Sequence, residues 1–400
     1  MRILASLYHP SGTWPFSGSE RRFCAISEEL ARRRVETFAL EPPPFAKNKM
    51  PAGYFPLETP LAGPGVAGEL GSWVLRAKSR GLDASHRFRF DLVYATNNNI
   101  FNLAAGVVLA RGLSIPLVAV VHHLRWVYYG ETLETGRGGR IAFAKFVRSL
   151  RSEGVPVRDS LARLAGSYAE LRLLGCCDGF ITASKAVADQ LSSIVNSNRI
   201  FAVGNGVRTA PSTTHPPAKE KNALFVGRLD EGKGVMELLI LWQRVAVVSP
   251  EAVLHVVGEG TLRKTLSQEA ARRGLTSRIQ DHGFTSDEKI SLLQAGAKLF
   301  ISLSRTEGFG LAMAESLAAG LPVLVWDIPP LREVFGSCAA VRLVPVGDIE
   351  KASSSAVEFL NLPEEQWQDM SRKAREYSRR FSWEEVGTRE LHALQTIQGA

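Results

Sequence analysis

The amino-acid sequence predicts an α/β protein in which a doubly wound parallel sheet occurs twice. Three observations predict it. Short apolar runs rich in Val, Ile and Leu recur from end to end without polar alternation, as strands buried on both faces of a parallel sheet do. Amphipathic helical stretches lie between them, for example 21–34 and 287–295. The chain has 400 residues, and an ordinary domain takes about 150, so there is length for two such sheets.

The first series of predicted strands falls at 2–7, 92–95, 117–121, 179–182 and 200–203. The second falls at 223–226, 253–257, 299–302, 323–325 and 341–343. Between the series, residues 208–222 read RTAPSTTHPPAKEKN, with three prolines and neither a helical nor a strand period. This segment is the expected linker between an N-terminal domain, 1–207, and a C-terminal domain, 223–382. Residues 41–65 contain seven of the twenty prolines and read as an irregular excursion of the first domain.

Composition narrows the function classes. A chain 45% hydrophobic and 22% charged is neither disordered nor a membrane bundle. The longest apolar run, 115–121, is interrupted by Pro116 and falls far below the ~20 residues of a spanning helix. The N-terminus, MRILASLYHPSG, reads as a first strand rather than a secretion signal. Four cysteines, two of them adjacent at 176 and 177, show neither a disulfide framework nor zinc-ligand spacing. Reduced thiols in a cytoplasmic protein are expected.

The net charge of +8 is unevenly spread. Residues 1–207 carry 25 Lys/Arg against 16 Asp/Glu, whereas 208–400 carry 23 against 24. The surplus in the first half suggests an anionic partner: a membrane surface, a phosphorylated substrate or nucleic acid. A solvated basic face is the alternative in a chain where 35 of 48 basic residues are Arg. Residues 137–163 hold seven basic and two acidic residues interleaved with Ile141, Phe143, Phe146, Val147 and Leu150. Such a segment suits an anionic lipid surface, or equally a solvated helix. No nucleic-acid recognition module accompanies the charge, so no nucleic-acid partner is expected.

The chemistry concentrates in Ser302-Leu-Ser-Arg-Thr-Glu307-Gly-Phe-Gly-Leu-Ala-Met-Ala-Glu315. A strand enters a glycine-punctuated turn and then a helix near 311–319, which Gly320 can cap. Gly308 and Gly310 let the backbone approach a ligand, and the helix N-terminus offers N–H groups to an anion. If all eight residues from Glu307 to Glu315 were helical, the two would lie ~12 Å apart, beyond the ~5–9.5 Å of a glycosidase pair. They suit hydrogen bonds to separate parts of one elongated ligand instead. Each Glu alone also fits a plain helix-end or solvated role.

Glu307 and Glu315, with EGFGLAMAES across them, resemble the E-x7-E signature of retaining glycosyltransferases of the GT-B fold, in particular the group 1 or family 4 nucleotide-sugar transferases. The resemblance implies two Rossmann-like domains facing a central cleft. It implies that Glu307 contacts the donor sugar and Glu315 the ribose, with Gly308, Phe309, Gly310 and Leu311 between them lining the donor. Phe225-Val-Gly-Arg228-Leu-Asp-Glu-Gly-Lys233-Gly234 is similar to the family's phosphate-binding turn. Arg228 and Lys233 suit a diphosphate, one as a bidentate fork and one as a point charge. Val257-Gly-Glu-Gly260 resembles the next strand exit and is given a supporting role.

In the first domain, Gly18 takes the second place of the family's glycine pair, while Ser17 replaces the first. The resemblance implies that Gly18 meets the donor. His122 ends a buried strand, where a side chain faces the ligand crevice of a parallel sheet, and it matches a family histidine at the donor sugar better than His123 does. Thr182-Ala-Ser184 and Gly204-Asn-Gly-Val207 resemble the family's interdomain edge, with Gly204 and Arg208 departing from it. Pro329-Pro330 depart from a glycine pair before Glu333. The tail from Arg380-Phe-Ser-Trp383 resembles a helix crossing back to the first domain, or is a surface helix of the second.

The implied reaction moves a sugar from a nucleotide-diphosphate donor to the hydroxyl of a sugar, glycolipid or other acceptor, with retention. Arg228 and Lys233 would neutralise the leaving group, while Glu307 and His122 hold the sugar. Domain closure about 208–222 would exclude water. No Asp-x-Asp motif is present, so no metal and no cofactor are expected. A nucleotide-sugar epimerase of the same fold and a non-catalytic nucleotide-sugar-binding protein are the alternatives. The expected location is cytoplasmic, peripheral on the inner face of the membrane.

Overall fold

The computed structural model describes residues 1–8, 18–42, 53–60, 65–124, 157–195, 198–207 and 221–399. The chain divides into two compact units, Met1–Gly206 with Trp383–Ala400, and Val207–Ser382. Residues 208–220, which hold nearly all of the expected linker, lie outside the described residues, as do Phe16, Ser17 and residues 125–156 of the basic N-terminal half.

Unit 1 contains β1 (Arg2–Ser6), β2 (Glu36–Glu41), β3 (Tyr54–Glu58), β4 (Leu92–Ala95), β5 (Leu117–Val121), β6 (Gly179–Thr182) and β7 (Ile200–Ala202). They form one sheet in the order β3-β2-β1-β4-β5-β6-β7, and every pairing is parallel. The described helices are α1 (Gly18–Arg32), α2 (Gly65–Ser85), α3 (Ile100–Leu113), α4 (Val157–Leu174) and α5 (Lys185–Ser192). Both faces of the sheet are covered, which is why its central strands β4, β5 and β6 are almost wholly apolar. On β5, Leu117, Ala119 and Val121 join the core with α2 and α3. Val118 and Val120 join the opposite core with α1 and the C-terminal helix Trp383–Gln398. That helix lies so close to β6 that a Cβ at Gly179 would collide with Ile397.

Unit 2 repeats the plan with β8 (Asn222–Val226), β9 (Val253–Val257), β10 (Ile279–Asp281), β11 (Leu299–Ser302), β12 (Val323–Trp326) and β13 (Val341–Val344). Their order is β10-β9-β8-β11-β12-β13, again all parallel. The connecting helices are α6 (Val235–Val248), α7 (Arg263–Arg272), α8 (Asp287–Gly296), α9 (Leu311–Ala318), α10 (Pro329–Phe335), α11 (Ile349–Leu360) and α12 (Glu364–Ser378). The C-terminal helix is α13.

Three strands escape the apolar-run criterion: β2, β3 and β10. β3 corrects the reading of 41–65 as wholly irregular. It is an edge strand carrying Pro56, and an edge tolerates a residue that cannot donate to the ladder. β10 is the opposite kind of edge, three residues long and mostly polar. In both units the chain winds outward in one direction from the first strand and then reverses. The switch points lie between β1 and β4 and between β8 and β11. Ligand crevices of open α/β sheets open at the carboxyl ends of strands at such points.

Candidate functional site

In unit 2 the two segments singled out from the sequence are the two loops that leave the switch-point strands. β8 ends at Val226, and Gly227-Arg228-Leu229-Asp230 leads into a single 3-10 turn, Glu231–Lys233. Gly234 follows with φ +66° and is the N-cap of α6. Only glycine fits, because an added Cβ would overlap the Leu303 carbonyl of the facing loop. The β11 loop in turn grips the same turn by its backbone. The Arg305 N–H donates to the Gly232 carbonyl at 3.0 Å, and the buried Ser304 hydroxyl donates to it at 3.1 Å. Arg305 also reaches Glu237 of α6 through Nε at 3.0 Å.

These braces bring Lys233 and Glu307 together, 74 residues apart in sequence, with Lys233 Nζ donating to Glu307 Oε1 at 2.5 Å. Their side chains are 20% and 15% exposed, so the pair is half-buried but still reached by solvent. Arg228 lies on the same loop, two-thirds exposed, with Nη2 3.2 Å from Asp230 Oδ2.

Gly310 takes φ +90° and is the N-cap of α9, a cap with no side chain to bond the helix's first N–H groups. Those donors and the positive helix end are available to an anion. At the other end Gly320 takes φ +86° beyond the last turn, and its N–H donates to Leu317, as a helix-terminating glycine does. Glu315 sits in the second turn of α9, partly buried. Because only the Leu311 end of the Glu307–Glu315 interval is helical, the ~12 Å estimate from eight helical residues does not stand. Phe309 is 5% exposed, and its ring packs against Phe335 and Phe381, centroids 6.2 and 5.4 Å away. What Phe309 can offer a ligand is its backbone.

The supporting role given to 257–260 has a physical basis. Gly258 packs against Gly227 so closely that a Cβ would strike its carbonyl oxygen. Pro329 and Pro330, the apparent departure, open helix α10, where a missing N–H costs nothing. Thr182 and Ser184 are structural. Thr182 Oγ1 donates to the Ser184 carbonyl at 2.9 Å, and Ser184 caps α5.

In unit 1, Gly18 is the first residue of α1, and His122 directly follows β5. His122 is held by residues the sequence reading passed over. Its backbone N–H donates to Asn98 Oδ1 at 3.3 Å, and its Nε2 lies 3.4 Å from the Thr96 carbonyl. Asn98 Nδ2 donates to the His123 carbonyl at 2.9 Å and also bonds Glu170 of α4. Burial and then the nearby Arg22 charge push the His122 imidazole down to about 3, so it is neutral at physiological pH. A carbonyl can only accept, so Nε2 carries the proton and Nδ1 is the acceptor. The polar run Thr96-Asn-Asn-Asn99 after a buried strand was the available signal for this cluster.

Behind α1 lies a buried ionic network. Arg22 Nη2 meets Glu390 Oε2 of α13 at 2.5 Å, Arg22 Nε donates to Asn205 Oδ1 at 2.7 Å, and the Tyr94 hydroxyl donates to Glu390 at 2.5 Å. Nothing in the local sequence pairs residues 22 and 390. Among the described residues no three His, Cys, Asp or Glu side chains converge as metal ligands.

Paired loops with a cation, a carboxylate and an uncapped helix end at a switch point are the site type of nucleotide-binding α/β proteins. Comparison with known proteins narrows the class. Residues 208–378 match the family Glycosyl transferases group 1, and residues 16–210 match Glycosyltransferase Family 4. The chain belongs to the group 1 glycosyltransferases of the GT-B fold.

It is 31% identical over 216 residues to the GDP-mannose:cellobiosyl-diphosphopolyprenol alpha-mannosyltransferase of Xanthomonas oryzae, covering 52% of this chain and 55% of the relative. The alignment thus spans about half the length of that relative. Among solved structures, sucrose-phosphate synthase from Thermosynechococcus elongatus superposes with a TM-score of 0.77 at 16% identity, covering 99% and 98% of the two chains. Anabaena HepE, solved with UDP and glucose, superposes with a TM-score of 0.69 at 18% identity, covering 99% and 100%.

Proposed function

We propose that this protein is a retaining glycosyltransferase that moves a sugar from a nucleotide-diphosphate donor to an acceptor hydroxyl in glycan, glycolipid or cell-envelope polysaccharide synthesis. The observation that carries the reading is the Lys233–Glu307 pair, set by two interlocked loops at the switch point of unit 2. Lys233 and Arg228 bind the diphosphate and offset the charge that develops as it leaves. Glu307 holds a hydroxyl of the sugar, and Glu315 the ribose. Gly18 and His122 are further donor contacts on the family resemblance, His122 as a neutral ring with an acceptor nitrogen. The departing diphosphate accepts the acceptor's proton during same-face attack, which needs neither a metal nor a cofactor.

A lipid-linked acceptor is supported by the name of the Xanthomonas relative, whose acceptor is a diphosphopolyprenol. The basic surplus of residues 1–207 suits such an anionic acceptor and the cytoplasmic face of a membrane. No described helix is long and apolar enough to cross a membrane. On α2, the basic Arg76, Lys78 and Arg80 are exposed beside Leu75, which is 69% exposed. Binding to anionic vesicles that weakens with salt is expected of this surface; equal binding to neutral vesicles, or none, removes the membrane assignment.

The reaction is tested by screening nucleotide-diphosphate sugars for transfer or slow hydrolysis. Lys233→Ala and Glu307→Ala are each expected to lower turnover at least about 100-fold, the usual scale for loss of one stabilising group. Full activity in both variants overturns the assignment. Product NMR separates transfer from epimerisation and reads the anomeric configuration.

A further inference from the structure

Both cations assigned to the diphosphate already carry an internal carboxylate partner, Lys233 with Glu307 and Arg228 with Asp230. We infer that these carboxylates are built-in counter-ions that make the site favour the intact donor over the spent nucleoside diphosphate. The inference rests on the proposed function and deepens it.

The physical basis is competition for one ammonium group. A diphosphate entering the site must draw Lys233 away from Glu307 across a contact of 2.5 Å whose side chains are 20% and 15% exposed. Water screens such a pair incompletely, so its attraction is substantial. The intruding ligand is itself an anion, so a stripped Glu307 carboxylate would also face like charge. An intact donor brings its own compensation, because the hydroxyls of its sugar can donate to Glu307 as Lys233 turns to the phosphates. A spent nucleoside diphosphate brings no sugar hydroxyl and leaves that carboxylate uncompensated. Glu307 therefore weakens the product more than the substrate and speeds the release of the leaving nucleotide, a step that often limits turnover.

Asp230 acts in the same sense but less strongly. It lies two residues from Arg228, at 3.2 Å, and Arg228 is 66% exposed, so solvent and salt screen the pair. Asp230 is the residue before the 3-10 turn and makes no side-chain bond to the turn's N–H groups. Removing its charge therefore leaves the loop's backbone bonds in place. The geometry of the turn does not depend on Glu307 either. Gly234 and the Gly232 carbonyl are held by Leu303, Ser304 and Arg305.

The test is calorimetric titration of the full chain with UDP, GDP and inorganic pyrophosphate, using wild type, Glu307→Gln, Asp230→Asn and Lys233→Ala. Glu307→Gln is expected to bind the nucleoside diphosphate about tenfold more tightly, equivalent to about 1.4 kcal/mol, while losing turnover of the intact donor. Asp230→Asn is expected to bind it two- to threefold more tightly, with stronger product inhibition. Lys233→Ala is expected to lose affinity for all three anions. Unchanged or weakened nucleoside diphosphate binding in Glu307→Gln, with Lys233→Ala defective, overturns the counter-ion inference alone. Normal binding in Lys233→Ala, or no binding by wild type, overturns the site assignment and the inference with it.

Discussion

Glu41 shows how a single buried residue sets a pH dependence. It ends β2 with no solvent exposure, beside the Tyr54 hydroxyl, and burial raises its carboxyl to about 8 from 4.5, with the Tyr54 hydrogen bond opposing in part. The folded chain thus keeps a proton there that the unfolded chain has released. That stabilisation is complete below pH 4.5 and is lost as the pH rises through about 8. Each pH unit between the two titrations is worth about 1.4 kcal/mol, so the swing is on the order of a few kcal/mol. Glu41→Gln, which stays neutral, should gain on wild type steadily as denaturant stability is measured from pH 4.5 to 8.5. A constant difference between the two proteins across that range contradicts the assignment. His122 has the opposite sign. Its ring stays unprotonated down to about 3 against 6.5 unfolded, so its contribution is lost as the pH falls below 6.5.

At the scale of elements, the site depends on two loops that fit only because neither has a side chain at the crossing. Gly234→Ala meets both the left-handed backbone at φ +66° and the Leu303 carbonyl. It should lower unfolding free energy by about 2 kcal/mol or more and abolish binding of nucleoside diphosphate. An alanine variant with wild-type melting and binding contradicts the interlocked-loop description. Both loops were legible in the sequence because a glycine-rich turn after an apolar run carries its own geometric meaning. The strands at 92–95, 117–121, 179–182 and 299–302 were legible to the residue, since all four are buried on both faces, and so was 253–257, an apolar run half-buried on one face. β3 and β10 were not, because an edge strand needs no apolar run. Nor were the partners of His122 and Arg22. Asn98, Thr96 and Glu390 act through long-range contacts that leave no local period.

For the whole molecule, the two units differ in what they present. Unit 2 carries the proposed phosphate ligands yet comes from the nearly neutral half of the chain, with 23 basic and 24 acidic residues in 208–400. Donor binding as proposed above would therefore rest on the placement of Arg228 and Lys233 rather than on overall charge. Unit 1 holds the basic surplus and is completed by α13, whose Glu390 satisfies the buried Arg22. The two ends of the chain are therefore one structural unit. The central claim is that Lys233 and Glu307 receive a nucleotide-diphosphate sugar, and one measurement tests it most directly. Wild type and Lys233→Ala are titrated with a panel of UDP-, GDP- and ADP-sugars while heat release and thermal stability are followed. Saturable binding of at least one donor to wild type, reduced at least about tenfold in Lys233→Ala, is the predicted result. Equal binding by both proteins, or by neither, would contradict it.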